Sequence, residues 1–437
     1  MFQRGGTGIS TIGQTIQPAT PFKRIVPALV VSNAAATIAI IPPIIILLTL
    51  KLTSIAPNNV AGALAMVTGI GAFVAMIFNP VAGAIGDRTR FQFGRRRTWI
   101  LAGAIFGGAS LLGIGLVAEV WQITLLWALA QASFTFQLLA NNALIAEQIV
   151  ESRRGSISGT VGAVPGIAPL IGIALLNKMN AQPDLLKWAI LAIIAVIGAV
   201  IAVILIREGR YLDSRKVKNE TTKFNLWNII PNPRKYPAFA SAWVTRFLVF
   251  SCIPASLFNS VYLIERFRFS KAELTDKIML TIVISTVLVF VFSLIGGMIS
   301  DRLRRQKPFV IGAGILMGFS LILQGFAPSF PIFLVATVLM GIGSGTYFAV
   351  DLAILTRVLP NKGDAAKDLG IFNIANTLPQ TIIPAIAPLI LNVGGYEMFF
   401  SFTGILGMLS GIAVLGVPEM LPRESNVVLP KSVKKNN

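Results

Sequence analysis

Few residues in this 437-residue chain can do chemistry, and their rarity makes them readable. There is no histidine and a single cysteine, Cys252, set within an apolar run. That removes the usual catalytic base, metal ligand and proton switch near neutral pH, and leaves no disulfide within the chain and no thiolate metal site. Proton chemistry therefore falls to carboxylates. Three ionisable residues stand within or beside long apolar stretches: Glu147, Arg246 and Asp351. An ionised side chain inside a bilayer costs on the order of a few kcal/mol, so each is a candidate functional residue. Arg246 can hold a substrate oxygen or carboxylate through its planar fork, or pair with Asp351. Asp351 can alternatively pair with Arg302 or Arg305.

Uncharged polar residues fall at helical spacing in the same stretches. Asn373, Asn376 and Gln380 are spaced i, i+3, i+7; Ser344, Tyr347 and Asp351 repeat that spacing; Gln137 and Asn141 are i, i+4. Each set occupies one helix face. Amides and a phenol both donate and accept, which suits hydroxyl-rich solutes. The same groups also serve as hydrogen-bonded glue between helices.

The elements that must position these residues follow from composition. Hydrophobic residues make up 54% of the chain and charged residues 13%. That excludes a soluble globular chain and a disordered one. A bilayer core of about 30 Å needs roughly 20 apolar residues per helix. Twelve stretches qualify: 25–50, 60–85, 98–118, 121–146, 156–177 and 185–206, then 237–263, 277–299, 308–327, 330–356, 367–391 and 397–417. Arg246 lies about 9 residues into the seventh, hence ~14 Å deep. The predicted fold is an all-α membrane protein with twelve transmembrane helices. The polar segment before the first span reads as a loose tail rather than a signal peptide.

The net charge of +19 is distributed unevenly. With both termini on one side, that side receives 29 Lys and Arg and the other only 7. The excess marks the cytoplasmic face, so both termini are expected there, in a multi-pass protein of the cell membrane. The basic charge then reads as a topology signal facing anionic lipid, with no nucleic-acid partner.

The two halves echo each other around the polar loop 207–236. After the second span comes Gly83-x-x-x-Asp87-Arg88, then Gly94-Arg95-Arg96-Arg97; after the eighth comes Gly297-x-x-x-Asp301-Arg302, then Arg304, Arg305 and Lys307. Prolines crowd the fifth span (Pro165, Pro169) and the eleventh (Pro379, Pro384, Pro388), and Pro42-Pro43 interrupts the first. Two six-helix halves in one orientation, 1–206 and 237–437, form a parallel repeat of the kind that rocks about a midplane site. Gly83 and Gly94 have backbone reasons to occupy a sharp turn. Arg88 and Arg95 can pair with Glu147 at the inner end of the fourth span; Arg96 and Arg97 either join that latch or serve as topology signals only.

The Asp-Arg and Gly-Arg-Arg-Arg elements, repeated in weaker form in the second half, resemble the major facilitator superfamily. With four extra residues between them, they are similar to its sucrose-transporter and glycoside–pentoside–hexuronide:cation symporter branches. The resemblance implies two six-helix halves in the major facilitator fold. It also implies a cavity lined by spans one, four, seven and ten, and a gating role for Asp87 facing the start of span eleven. Span one offers Asn33 and Thr37 where proton-coupled sugar carriers often carry an acid, and span four has no arginine.

The expectation is a secondary transporter, acting as a monomer, that moves a small polar solute by alternating access. A sugar or glycoside with a coupling proton or cation is the first substrate class; export of organic anions or amphiphiles is the alternative. A polytopic enzyme would need clustered carboxylates or a histidine base, and neither is present. No charged ring or filter loop points to a channel. No phosphate-binding Gly-x-x-x-x-Gly-Lys loop points to direct use of ATP. No cofactor is implied.

Overall fold

The computed structural model describes residues 20–89, 91–149, 151–208, 233–303, 305–358 and 365–418. Each predicted span falls on a helix: α1 (Phe22–Ile55), α2 (Val60–Arg88), α3 (Arg95–Leu116), α4 (Val120–Gln148), α5 (Glu151–Lys178) and α6 (Asp184–Leu205). The second half continues with α7 (Pro237–Phe267), α8 (Lys271–Leu303), α9 (Lys307–Gly325) and α10 (Phe330–Val358). The last apolar run, Ile374–Gly416, has 43 residues. At 1.5 Å per residue that is roughly twice a bilayer core. It is divided where Gly394 (φ −144, ψ 20) and Gly395 (φ 64, ψ −161) leave helical geometry, giving α11 (365–393) and α12 (396–413).

Proline acts differently in different helices. In α1, Pro42 and Pro43 supply no N–H, and the ladder passes through a π turn over Pro43–Leu47 before resuming at Leu48. In α7 the α-helix stops at Phe250, a 3-10 stretch follows over Ile253–Phe258 around Pro254, and α-helix returns at Asn259. The prolines of α5 and α11 lie within continuous helix. The expectation for Gly83 is corrected here: it lies inside α2, so no turn requires it. Gly94, with φ 123, does occupy a turn.

The packing map is repeated. In the first half α2 and α3 pack on α4, α3 and α1 on α6, and α1 on α5. In the second half α8 and α9 pack on α10, and α7 packs on α11 through Phe239–Phe372 and a hydrogen bond from Trp243 Nε1 to the Ile371 carbonyl. The α9–α12 contact is backbone to backbone: a Cβ on Gly314 would lie 2.7 Å from the Gly407 carbonyl, and one on Gly404 would lie 2.6 Å from the Gly318 carbonyl. Glycines there let the helices approach closely.

The halves meet along α2–α11 and α5–α8, two contacts that exchange when the halves are interchanged. That is the signature of a two-fold relation between repeats. The contacts lie at the end away from the basic loops. Gly69 of α2 faces Pro384 and Ala385 of α11. Asn177 of α5 donates to Asp276 of α8 at 2.5 Å, and Thr275 donates to Asn180 at 3.2 Å. Ser260 of α7 donates to the Ile45 carbonyl of α1. At the basic end, a Cβ on Gly83 or on its counterpart Gly297 would meet nothing within 4 Å. The exterior carries large exposed apolar side chains such as Phe106, Leu116, Ile204 and Leu389, as a lipid-facing surface requires.

The dihedrals of Gly395 belong to a region open almost only to glycine, where another residue stores about 1–3 kcal/mol of strain. Gly395→Ala is expected to lower the unfolding temperature of the detergent-solubilised protein. Gly312→Ala, in helix with open space around it, should leave that temperature unchanged or raise it. Equal responses would mean that the α11–α12 junction is not held in this geometry.

Candidate functional site

The intramembrane charges come together in the second half. Arg246 stands near the middle of α7, one turn before the helix breaks, and Asp351 is in the basic-end half of α10. Arg246 Nη1 lies 2.9 Å from Asp351 Oδ2, and Tyr347, one turn earlier on α10, donates to Asp351 Oδ1 at 2.9 Å. The two charged side chains are only 13% and 16% exposed. The guanidinium carbon also lies 5.1 Å from the centre of the Phe250 ring. Arg246 Nε is buried and has no partner among the described residues. The guanidinium is thus neutralised on one edge and retains donors on another. Such a group can take up a hydroxyl, carbonyl or carboxylate oxygen without leaving its counter-charge.

Of the other residues marked in the sequence, several turn inward to the protein itself. Gln137 and Asn141 of α4 are fully buried and bond Ser32 of α1. Gln137 Nε2 reaches the Ser32 hydroxyl at 3.2 Å and Asn141 Nδ2 reaches it at 3.0 Å. Their amide oxygens are buried without described partners. Asn33 Nδ2 donates to the Leu29 carbonyl at 2.8 Å, within its own helix. The Ser344 hydroxyl likewise donates to the Met340 carbonyl at 2.7 Å. On α11, Gln380 is exposed and donates to Asn376 Oδ1 at 3.3 Å. The side chains of Asp87, Asp301 and Asn373 lie outside the described set.

A second cluster lies at the basic end. Glu147 accepts from both Arg95 and Arg96; the Arg96 Nη2 contact is 2.6 Å. The expected Arg88 partner is displaced: Arg88 is exposed on the last turn of α2, and Arg96, 6% exposed, takes the inner position. Arg302 and Arg305 are exposed and not beside Asp351, whose described ion pair is with Arg246.

Glu208 joins this cluster without having been marked by the sequence. Its carboxylate accepts from the backbone N–H of Arg96 and of Arg97, each at 3.0 Å. These are orphan donors of the first turn of α3, where the helix dipole favours an anion. Gly94 makes the approach possible, because a Cβ there would overlap Glu208 Oε2. The tie extends to Thr20, which exchanges hydrogen bonds with Arg207 at 2.9 and 3.0 Å, while the Thr20 N–H donates to Gln148 Oε1 at 3.2 Å. The signal for Glu208 is weak: one acid just past the end of a span, within a strongly basic loop.

Comparison with known proteins agrees with this architecture. Residues 27–276 and 258–434 match the Major Facilitator Superfamily. The chain belongs to that superfamily. It is a membrane transporter and not an enzyme. It is 30% identical over 186 residues to the multidrug resistance protein MdtL of Klebsiella pneumoniae (strain 342), covering 41% of this chain and 47% of that protein. It is 30% identical over 105 residues to the uncharacterised MFS-type transporter YfiU of Bacillus subtilis (strain 168), covering 24% of this chain and 20% of that protein. The matched regions thus span less than half the length of these curated relatives. Among solved structures, a mutant of the nucleoside transporter NupG superposes with a TM-score of 0.70 at 10% identity, over 89% of this chain and 99% of that one. The D-xylose-proton symporter superposes with a TM-score of 0.67 at 15% identity, over 90% and 97%. Both establish the major facilitator fold in two halves.

A double-mutant cycle checks the basic-end clamp. Gly94→Ala is expected to destabilise the protein by about 1–3 kcal/mol through its positive φ, plus a part due to the clash with Glu208. On a Glu208→Ala background only the φ strain remains, so the two substitutions should be less than additive. Strict additivity in chemical or thermal unfolding would show that Glu208 does not sit against Gly94.

Proposed function

We propose that this superfamily member is a secondary transporter that moves a small polar solute by alternating access, with Arg246 as the principal substrate anchor. The observation that carries the reading is the buried Arg246–Asp351–Tyr347 cluster beside the break in α7, with the Arg246 Nε–H left over. Transporter sites are commonly built where a helix is interrupted near the midplane. In this reading a substrate oxygen engages the free edge of the guanidinium, and Asp351 holds the arginine when the site is empty. A sugar or glycoside is the substrate class we favour, with the motif spacing of the sucrose and glycoside–cation branches in its support. Asn376 and Gln380 on α11 add amide partners. Asp351, as a carboxylate within the span, is the group through which a proton would couple.

A second reading is export of organic anions or amphiphiles. The 30% identity to a multidrug resistance protein over 186 residues supports it, and an arginine with a spare donor edge suits an anion equally well. Uptake and efflux in proteoliposomes, with a panel of sugars and organic anions and with or without a pH gradient, separates the two.

Arg246→Lys keeps a charge for Asp351 but loses the planar fork. With a ligand from that panel, we expect at least roughly a tenfold loss of affinity, about 1.4 kcal/mol, with little change in unfolding temperature. Arg246→Ala should lose both, since a buried carboxylate left unpaired costs about 3–5 kcal/mol. Unchanged affinity in the lysine variant would make the pair structural and remove Arg246 from the site.

The orientation completes the proposal. With the basic loops and both termini in the cytoplasm, residues 1–206 and 237–437 form the two halves, 207–236 is the cytoplasmic linker, and the chain works as a monomer. The contacts between halves then lie on the outer side, and the state seen is closed outward. Cysteine introduced as Ser214→Cys should resist an impermeant thiol reagent in intact cells. Cys252 is wholly buried, so it adds no background. Rapid labelling from outside would reverse the topology.

A further inference from the structure

The second half encloses another cavity, of about 190 Å³, away from Arg246 and nearer the end where the halves touch. Its polar lining is uncharged: Ser256, Asn259 and Ser260 from α7, Thr281 from α8, Gln324 from α9 and Thr337 from α10 are among the contributors. The direction of their hydrogen bonds decides what they offer. Ser256 donates to the Ile253 carbonyl at 2.7 Å, Thr281 to the Ile278 carbonyl at 2.7 Å and Thr337 to the Phe333 carbonyl at 2.9 Å. Ser260 donates to the Ile45 carbonyl. Each hydroxyl has one proton and has used it on the backbone, so what it can present to the cavity is lone pairs.

Two amides carry further lone pairs. Asn259 Oδ1 and Gln324 Oε1 are buried with no hydrogen-bond partner among the described residues, and Gln324 is only 3% exposed. Buried polar atoms left without partners are uncommon and call for an explanation. One helix end adds negative partial charge: α9 terminates at Gly325, next to Gln324. Among the described residues, no carboxylate, lysine or arginine lines the cavity.

A pocket with neutral oxygen acceptors, a helix C-terminus beside it and no fixed charge suits a small cation of single charge. A divalent ion would want carboxylates among its ligands. We propose that this cavity is a monovalent-cation site, with Asn259, Gln324 and the Thr281 hydroxyl supplying oxygens. Turning a terminal amide about its last torsion brings its oxygen to the ion. One wall is Ile45 of α1, contributed by the other half. The site is complete only while the halves touch at this end, so a bound cation favours that arrangement. The inference stands independently of the substrate role given to Arg246.

The test needs no substrate. Thermal unfolding of the purified full-length protein is followed in sodium, potassium or choline chloride at equal ionic strength. A saturable rise in unfolding temperature with sodium or potassium, absent with choline, supports the site. Gln324→Leu and Asn259→Leu should abolish the rise, and Thr281→Val should weaken the apparent affinity by roughly tenfold or more. Arg246→Lys should keep it, which separates this site from the substrate reading. If the leucine variants fail to fold, Thr281→Val decides. Equal responses to sodium, potassium and choline, or a cation response undiminished in well-folded variants, would overturn the proposal.

Discussion

Water is absent from the core of a bilayer, and every charge or backbone group placed there must find its partner within the protein. Arg246 brings a positive charge under this rule. Its position fixes much of the second half. Asp351 must come from α10 to meet it, Tyr347 must hold the other carboxylate oxygen, and Phe250 supplies a ring face on the remaining side. The same rule shapes α1 and α7. At Pro43 and Pro254 the backbone shifts to π and 3-10 geometry and continues, instead of opening into a loop.

The spans were legible because hydropathy and length are strong signals in a membrane chain, and the Gly394–Gly395 junction fell between the two final apolar runs. The Arg246–Asp351 pairing was legible as one of two options, because charges are so scarce in these helices that few partners exist. Spacing put Gln137 and Asn141 on one face of α4, but it could not say which helix they meet; Ser32 is a residue of no distinction in the sequence. Gly83 misled because glycine marks a turn in most contexts, whereas here it lies on a helix with open space beside it. Glu208 was hidden because its role depends on α6 ending beside the start of α3, a tertiary fact with no local trace. Arg96 took the place expected of Arg88 because α2 runs on through Arg88 and leaves that side chain outside.

The two clusters differ in kind. Around Arg246 the charges are buried and compensated within one half. At the basic end, Glu147 and Glu208 bind the first turn of α3 from two directions and make a stiff corner of the α2–α3 connection. Among the described residues, neither cluster bridges the halves. What does bridge them is mostly apolar packing along α2–α11 and α5–α8, with a few neutral hydrogen bonds and one carboxylate acceptor, Asp276. Contacts of that sort separate without stranding an arginine in lipid.

The exchange of hydrogen bonds between Thr20 and Arg207 joins the two ends of the first half. Its polypeptide enters and leaves at one spot, so six helices form a nearly closed ring. Neighbouring ends are what makes a domain tolerant of circular permutation. Mechanically, any pull transmitted through the segment after Glu208 falls on a junction shared by the ends of α4 and α6 and the start of α3. It does not fall on α6 alone. Tension is thereby shared among three helix ends and favours movement of the half as one body over the peeling of a single helix.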